Sequence, residues 1–430
     1  MQSAPRPTGS SGWLPLPLLL LVLGCSDAAP TGSGGGGNAS GGNASGGSAP
    51  STGGAFATGG MPSSGGAFSS GGSGGGLATG GQGSGGTNPG TGGHGGDVDV
   101  FRPPFILGAD ITITLKDEYW GATYRDEGVE KPLEQILQDH GFNYVRIDTF
   151  VDPSAPGGYA ETEPVPFRNL DQTIELAKRV KTLGMGFLLD LHMSDTWTNP
   201  GAQGTPHAWQ SFGIDALAAA VHDYVKDAVT RLTAEGARPD MVQIGNETTN
   251  GFLWDVGRIQ NDDFGNFARL LKAGIQAVRD VDDRIQVMLH IEKCDNLTTT
   301  RWWLDGVLAQ GVDFDVFGQS CYAPSGNGHQ GYQGTPDQWA TTFAALVDEY
   351  PQLDFVIAEY SAEQRAANDV MFQLPDGRGL GTFNWDPTRS YDTHPNVPLF
   401  TTDGEWNDFV TIPERIGLYD QMAQDYGLRP

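Results

Sequence analysis

Met241-Val242-Gln243-Ile244-Gly245-Asn246-Glu247 and Phe355-Val356-Ile357-Ala358-Glu359 are two short apolar runs, each closed by a glutamate. Near-continuous apolar runs of this length are the pattern of parallel strands buried on both faces, since half-exposed strands alternate. A buried parallel strand that delivers a carboxylate to its C-terminal end points to a (β/α)8 barrel, where those ends form the active face. Two carboxylates converging there are the equipment of glycoside hydrolysis. One protonates the leaving oxygen, and the other attacks the sugar or activates water. Asn246, beside the first glutamate, is placed to hydrogen-bond a sugar 2-hydroxyl. The alternative is that each Glu ends its strand in a surface ion pair.

Working outward, six more strand candidates appear: Ile106–Asp110, Tyr144–Asp148, Gly186–His192, Gln286–His290, Phe314–Gly318 and Gly379–Trp385. With the Glu247 run as the fourth and the Glu359 run as the seventh, the count is eight. Amphipathic stretches at Leu170 to Leu183, Asp215 to Leu232 and Asp263 to Val281 lie between them. Strands alternating with helical segments imply βα units and a parallel sheet. Eight units point to a closed barrel rather than an open doubly wound sheet, and no G-x-G-x-x-G follows the first strand. The fold class is α/β, a single (β/α)8 TIM barrel. Polar and aromatic residues gather where these strands end: Asp110, Arg146, Asp190, His192, Asn246, Glu247, His290, Tyr322, Glu359 and Trp385. A lone strand-end His is more often structural than catalytic. Clustering at most of the strand ends favours a site able to bind sugar hydroxyls and move protons.

The ends and the composition set the context. Arg6 and the apolar run Leu14 to Leu23, interrupted by Pro15 and Pro17, read as an export segment too short for a comfortable membrane span. It closes Leu21-Val22-Leu23-Gly24-Cys25, the form of a bacterial lipobox in which the Cys is lipidated. Residues 26–97 are Gly, Ser, Thr and Ala with little else. Such a stretch cannot bury enough apolar surface to offset its conformational entropy, and it reads as a disordered tether with an r.m.s. reach of roughly 45–50 Å. Residues 98–430 are then the folded domain. The formal charge of −27 argues against nucleic acid and anionic membrane surfaces as partners. Ten Trp and twelve Tyr suit stacking on sugar rings, with core packing as the alternative. Of the three Cys, lipidation of Cys25 leaves Cys294 and Cys321 for a disulfide in an oxidising compartment. They lie just beyond strands five and six, and adjacent strands are about 4.8 Å apart. Burial as small apolar groups is the competing fate.

The local words resemble a known family. Leu189-Asp190-Leu191-His192-Met193-Ser194-Asp195-Thr196-Trp197, followed by Asn199-Pro200-Gly201-Ala202-Gln203, resembles the strand-3 segment of the endo-β-1,4-galactanases of glycoside hydrolase family 53. Val242 through Glu247 and on to Trp254 resembles that family's strand-4 signature more closely still, and His140 to Arg146 and Asp313 to Val316 are similar to its other segments. The likeness spans about residues 105 to 390. It implies a retaining, endo-acting hydrolase that cleaves the β-1,4-galactan side chains of plant pectin by double displacement, with Glu247 as acid/base and Glu359 as nucleophile. It implies Arg146, His192, Asn246, His290 and Trp385 around the scissile bond. Asp110, Asp190, Trp197, Trp254 and Tyr322 complete the expected substrate-binding set. Some members bind calcium in the loop after strand seven, where Asp369 and Asp376 lie here; no metal or cofactor is assigned. The expected protein is an exported monomer, anchored by lipid on Cys25 or extracellular.

The sequence departs from the family at several points. Asp148 and Phe150 follow Arg146, Met193 stands where an aromatic is usual, Tyr360-Ser361-Ala362 follows Glu359, and Cys321 replaces a common Tyr. These keep open a barrel glycosidase acting on a different β-glycan. A non-catalytic glycan-binding lipoprotein is a second alternative, against which both glutamates argue. A metal-dependent hydrolase using Asp190, His192 and His290 is a third, against which the lack of compact ligand spacing argues.

Overall fold

The computed structural model describes residues 104–323, 333–390, 397–404 and 407–429. The export segment, the lipobox Cys25 and the Gly/Ser-rich stretch lie outside them. The eight barrel strands are β1 (Ile106–Asp110), β2 (Tyr144–Thr149), β3 (Gly186–Leu191), β4 (Met241–Ile244), β5 (Gln286–Ile291), β6 (Val316–Ser320), β7 (Asp354–Tyr360) and β8 (Gly379–Trp385). All pair in parallel, and β8 returns to β1 with Ile106 opposite Gly381 and Asp110 opposite Trp385, closing a (β/α)8 barrel. The strands are buried almost throughout because helices cover their outer face, which is why their sequences run apolar without alternating.

The outer helices form where apolar residues recur at helical spacing. In Gly265–Val281, Phe267, Leu270, Leu271, Ile275 and Val278 make the buried stripe. Asn169 and Asn296 cap Leu170–Thr182 and Leu297–Ala309, each side chain accepting from a backbone N–H of the first turn. Inside the barrel, Ile106, Tyr144, Leu188, Met241, Met288, Val316, Val356, Ala358, Leu380 and Phe383 form a separate plug. Each large member stabilises the fold by roughly 1.5–3 kcal/mol. Gly186 makes room for the plug, since a Cβ there would fall 2.1 Å from the Tyr144 ring. The plug fills one end of the barrel, and the polar side chains lie one layer further along the strands.

Three expectations need correction. The fourth strand does not reach Glu247: it ends at Ile244, and Gly245 (φ +80°) turns the chain out of the sheet. The sixth strand begins at Val316, two residues later than expected, and runs on to Ser320. A small second sheet was not anticipated. Its strands Phe400–Thr402, Asp408–Thr411, Thr123–Asp126 and Val129–Glu130 tie the segment after β1 to the segment after β8. These strands are too short to show a period in the sequence, and partners nearly 300 residues apart leave no local signal.

Cys294 and Cys321 are joined by a disulfide, with Cα atoms 5.2 Å apart and both side chains buried. It staples the segment after β5 to the residue after β6.

Candidate active site

Side-chain alternation along β2 sends Tyr144 to the plug and Arg146, two residues on, to the polar layer. The same alternation on β3 brings Leu188 and then Asp190 inward, and on β5 it brings Met288 and then His290. β7 breaks this rule. Val356 and Ala358 both face the plug, so plain alternation would turn Glu359 toward the helices. The pairing slips here against both neighbours: Gln319 is opposite Ile357 but Ser320 is opposite Glu359, and on the other side Thr382 is opposite Ile357 but Asn384 is opposite Tyr360. This irregularity re-aims the carboxylate into the barrel, as bulges commonly do beside active sites. Glu247 arrives differently, from a turn in which its own backbone is left-handed (φ +47°).

Arg146 is the hub. Its guanidinium donates to Asp110 Oδ2 (2.8 Å), Asp190 Oδ2 (2.7 Å), Asn246 Oδ1 (2.9 Å) and, through Nε, Gln243 Oε1 (3.2 Å), and it lies 3.0 Å from Glu359 Oε1. A guanidinium buried to this degree holds its charge because three carboxylates outweigh the cost of burial. Tyr322 OH donates to the other oxygen of Glu359 at 2.8 Å. Burial pushes the Glu359 carboxyl up from its ordinary range, while Arg146 and Tyr322 pull it back toward the anion. Among the described residues Glu247 has no cation in contact. Burial, then Glu359, then Glu292 push it well above the ordinary range, against the weaker pull of Ser320 and Arg146. Of the two, Glu247 is pushed the further toward its protonated form.

His290 lies between these groups. Its Nδ1 is 2.9 Å from Asn246 Oδ1 and 3.1 Å from Gln243 Nε2, and its Nε2 is 3.0 Å from Ser320 Oγ. Burial and then Arg146 push it well below the ordinary range, so the ring is neutral. His192 accepts from Thr198 N–H at Nδ1 (3.1 Å), which leaves Nε2 to donate to Asp190 at 3.1 Å. Asn246 is fixed by its own amide donating to Thr198 O at 3.0 Å. The arrangement offers one carboxyl pushed toward its protonated form, one drawn toward the anion by a cation and a phenol, and a wall of fixed hydrogen-bonding groups. That is the equipment for acid-assisted displacement at a sugar carbon.

The sequence profile described as Glycosyl hydrolase family 53 matches residues 106–373. The chain belongs to glycosyl hydrolase family 53. Among relatives of this family, an arabinogalactan endo-beta-1,4-galactanase from Thermothelomyces thermophilus is 37% identical over 342 residues, covering 72% of this chain and 98% of the relative. One of the same name from Humicola insolens is 30% identical over 340 residues, with the same coverage. Among solved structures, a fungal beta-1,4-galactanase superposes with a TM-score of 0.62 at 26% identity, covering 73% of this chain and 98% of its own. A family 53 catalytic domain from Ignisphaera aggregans gives 0.62 at 27%, covering 74% and 95%. The protein is a glycoside hydrolase.

Within this family 53 site, Asp110, Arg146, Asp190, His192, Asn246, His290, Tyr322, Glu247 and Glu359 are joined by contact in one hydrogen-bonded network. Three expected aromatics complete the picture. Trp197 is 37% exposed and stacks on Arg168, whose guanidinium lies 4.0 Å from the ring centroid. Trp254 donates to Asn250 O and carries Arg258 4.1 Å from its ring centroid. Trp385 ends β8 beside Asp110 in register. Both Asp369 oxygens accept from Arg365 Nε, and one also accepts from Tyr426 OH.

Several residues of the site went unremarked in the sequence. Gln243 bonds Arg146 and His290 from the middle of β4, and its signal was a polar residue inside Met-Val-Gln-Ile. Ser320 donates to Glu247 Oε1 at 2.7 Å. Glu292, two residues past His290, is buried beside Glu247 and is held by Thr249 and, at 2.9 Å, by Lys293. Asp148, noted only as a departure from the family, pairs with Arg168. Arg168 comes from a loop and gave no signal.

Proposed function

We propose that this family 53 hydrolase is a retaining, endo-acting β-1,4-galactanase that works by double displacement. The observation that carries this reading is the unequal treatment of two carboxyls in one site, Glu359 against Arg146 and Tyr322, and Glu247 with no contacting cation among the described residues. The galactanase names of relatives aligned over 98% of their length support the substrate. Glu359 attacks the anomeric carbon while Glu247 gives its proton to the departing oxygen, and the C–O pair leaves with that oxygen. Glu247, now a carboxylate, takes a proton from water, which displaces Glu359 and restores both groups. Asn246 and His192 hold hydroxyls of the reacting sugar.

A retaining mechanism calls for carboxyl oxygens about 5–5.5 Å apart. A crystal structure with a separation near 8 Å would instead indicate inversion. The activity itself is tested by product analysis after incubating the enzyme with β-1,4-galactan and a panel of other β-glycans. Oligosaccharides from galactan are expected, and activity confined to another glycan would sink the assignment. One observation favours that second reading: Asp148, a departure from the family's sequence, pairs with Arg168, which stacks on Trp197 beside His192. We also propose export and lipid attachment at Cys25, on the strength of the lipobox-like Leu21-Val22-Leu23-Gly24-Cys25. The polysaccharide is the partner, and the enzyme acts as a monomer.

A further inference from the structure

The two oxygens of Glu247 have different surroundings. Oε1 lies 2.7 Å from Ser320 Oγ, whereas no hydrogen bond to Oε2 is found among the described residues. Ser320 is the last residue of β6, fully buried, and its hydroxyl is also 3.0 Å from His290 Nε2. A serine hydroxyl has a single proton, so it can donate to only one of these neighbours. His290 Nδ1 decides which. Gln243 Nε2, a donor whose partner oxygen is fixed by Arg146 Nε, directs one proton at Gly245 O (3.1 Å) and holds the other within reach of that nitrogen at 3.1 Å and of Asn246 Oδ1 at 3.3 Å. Asn246 Oδ1, at 2.9 Å from the same nitrogen, is already engaged by Arg146 Nη2. With Nδ1 accepting from Gln243, Nε2 carries the ring proton and donates to Ser320. The serine proton is then left for Glu247 Oε1.

We propose that Ser320 is a positioning residue for the acid/base carboxyl: it holds Oε1 as the unprotonated oxygen, so that the acid proton resides on Oε2. This rests on the reading of Glu247 as acid/base. In the first displacement the Oε2 proton passes to the leaving oxygen, and the carboxylate charge that develops strengthens the Ser320 bond, because hydrogen bonds to ionised acceptors are the stronger kind. In the second displacement, water returns a proton to Oε2 while Ser320 stays in place. The hydroxyl therefore stabilises each transition state more than the ground state that precedes the first. The reverse polarity has Nδ1 donating to Asn246 and Ser320 donating to His290. It would make Ser320 an acceptor from protonated Glu247, and it predicts the opposite pH response.

The test is Ser320→Ala in the full-length enzyme. Glu359 on β7, Glu292 after β5, Arg146 on β2, Tyr322 after β6 and neutral His290 are the other groups facing Glu247, and all remain in the variant. Loss of a donor to the charged form raises the Glu247 pKa, so the alkaline limb of kcat/KM should move to higher pH. Turnover of galactan should fall about tenfold to a hundredfold. The loss on a dinitrophenyl glycoside should be at least several-fold smaller, because that leaving group needs little protonation. An unmoved limb, a limb moved to lower pH, or equal losses on both substrates overturns the proposal. Glu247→Ala run in parallel separates the two readings: if it lacks leaving-group dependence, the role given to Glu247 has failed instead. Should Ser320→Ala not fold, a crystal structure of the parent enzyme with Ser320 Oγ beyond about 3.5 Å from Glu247 overturns it as well.

Discussion

Glu247 and Glu359 share a side chain, and what touches each one divides the work between them. A carboxyl 3.0 Å from a buried guanidinium and accepting a phenol hydrogen bond is pulled, against the upward push of burial, toward the anion a nucleophile must be. A carboxyl whose strongest influences are burial and two neighbouring acids is pushed further toward its protonated form. The roles predict different losses on truncation. Glu359→Ala should abolish turnover of galactan, and added azide should return part of it with an inverted glycosyl azide as product, since the small anion fills the space left by the carboxylate. Glu247→Ala should spare substrates with good leaving groups. Product analysis by NMR reads both, and retention of most galactan activity in Glu359→Ala would contradict the assignment.

At the scale of elements, β6 and its continuation supply one hydrogen bond to each carboxyl: Ser320 to Glu247 and Tyr322 to Glu359. Cys321 lies between them and points the other way, into the disulfide with Cys294. Opening that bond should cost roughly 3 kcal/mol of stability for a loop of this length. It should also lower turnover at temperatures well below unfolding, because the segment carrying both contacts loosens. Activity and melting temperature of Cys294→Ser/Cys321→Ser check this, and unchanged turnover at 25 °C would confine the bond to global stability. Apolar runs made the strands of the barrel legible in advance, whereas the cysteine positions allowed the disulfide without deciding between it and separate burial. The slip in β7 was not legible, because Phe-Val-Ile-Ala-Glu reads identically with or without it and only pairing partners reveal it. Nor was the role of Gln243 or Arg168. A polar residue in a buried strand declares that it needs a partner but not which one, and a loop arginine declares nothing.

For the whole molecule, the barrel leaves no free sheet edge, since β1 and β8 complete each other, and the site depends on strands drawn from most of its circumference. Catalysis should then be independent of the long Gly/Ser-rich N-terminal stretch. Removing residues 1–97 is expected to leave kcat/KM on soluble galactan within about twofold, whereas Cys25→Ser should abolish lipid labelling and move the protein out of the membrane fraction. Labelling that persists in Cys25→Ser would refute the anchor. The turn after β4 has a last consequence, for thermal stability. A glutamate in the left-handed region costs the native state on the order of 1 kcal/mol that glycine would not incur. Glu247→Gly should therefore melt higher than Glu247→Ala, by a few degrees at most for a domain of this size. Selection for heat resistance alone, with no substrate to cleave, would drive position 247 toward glycine and extinguish the enzyme while hardening its shell.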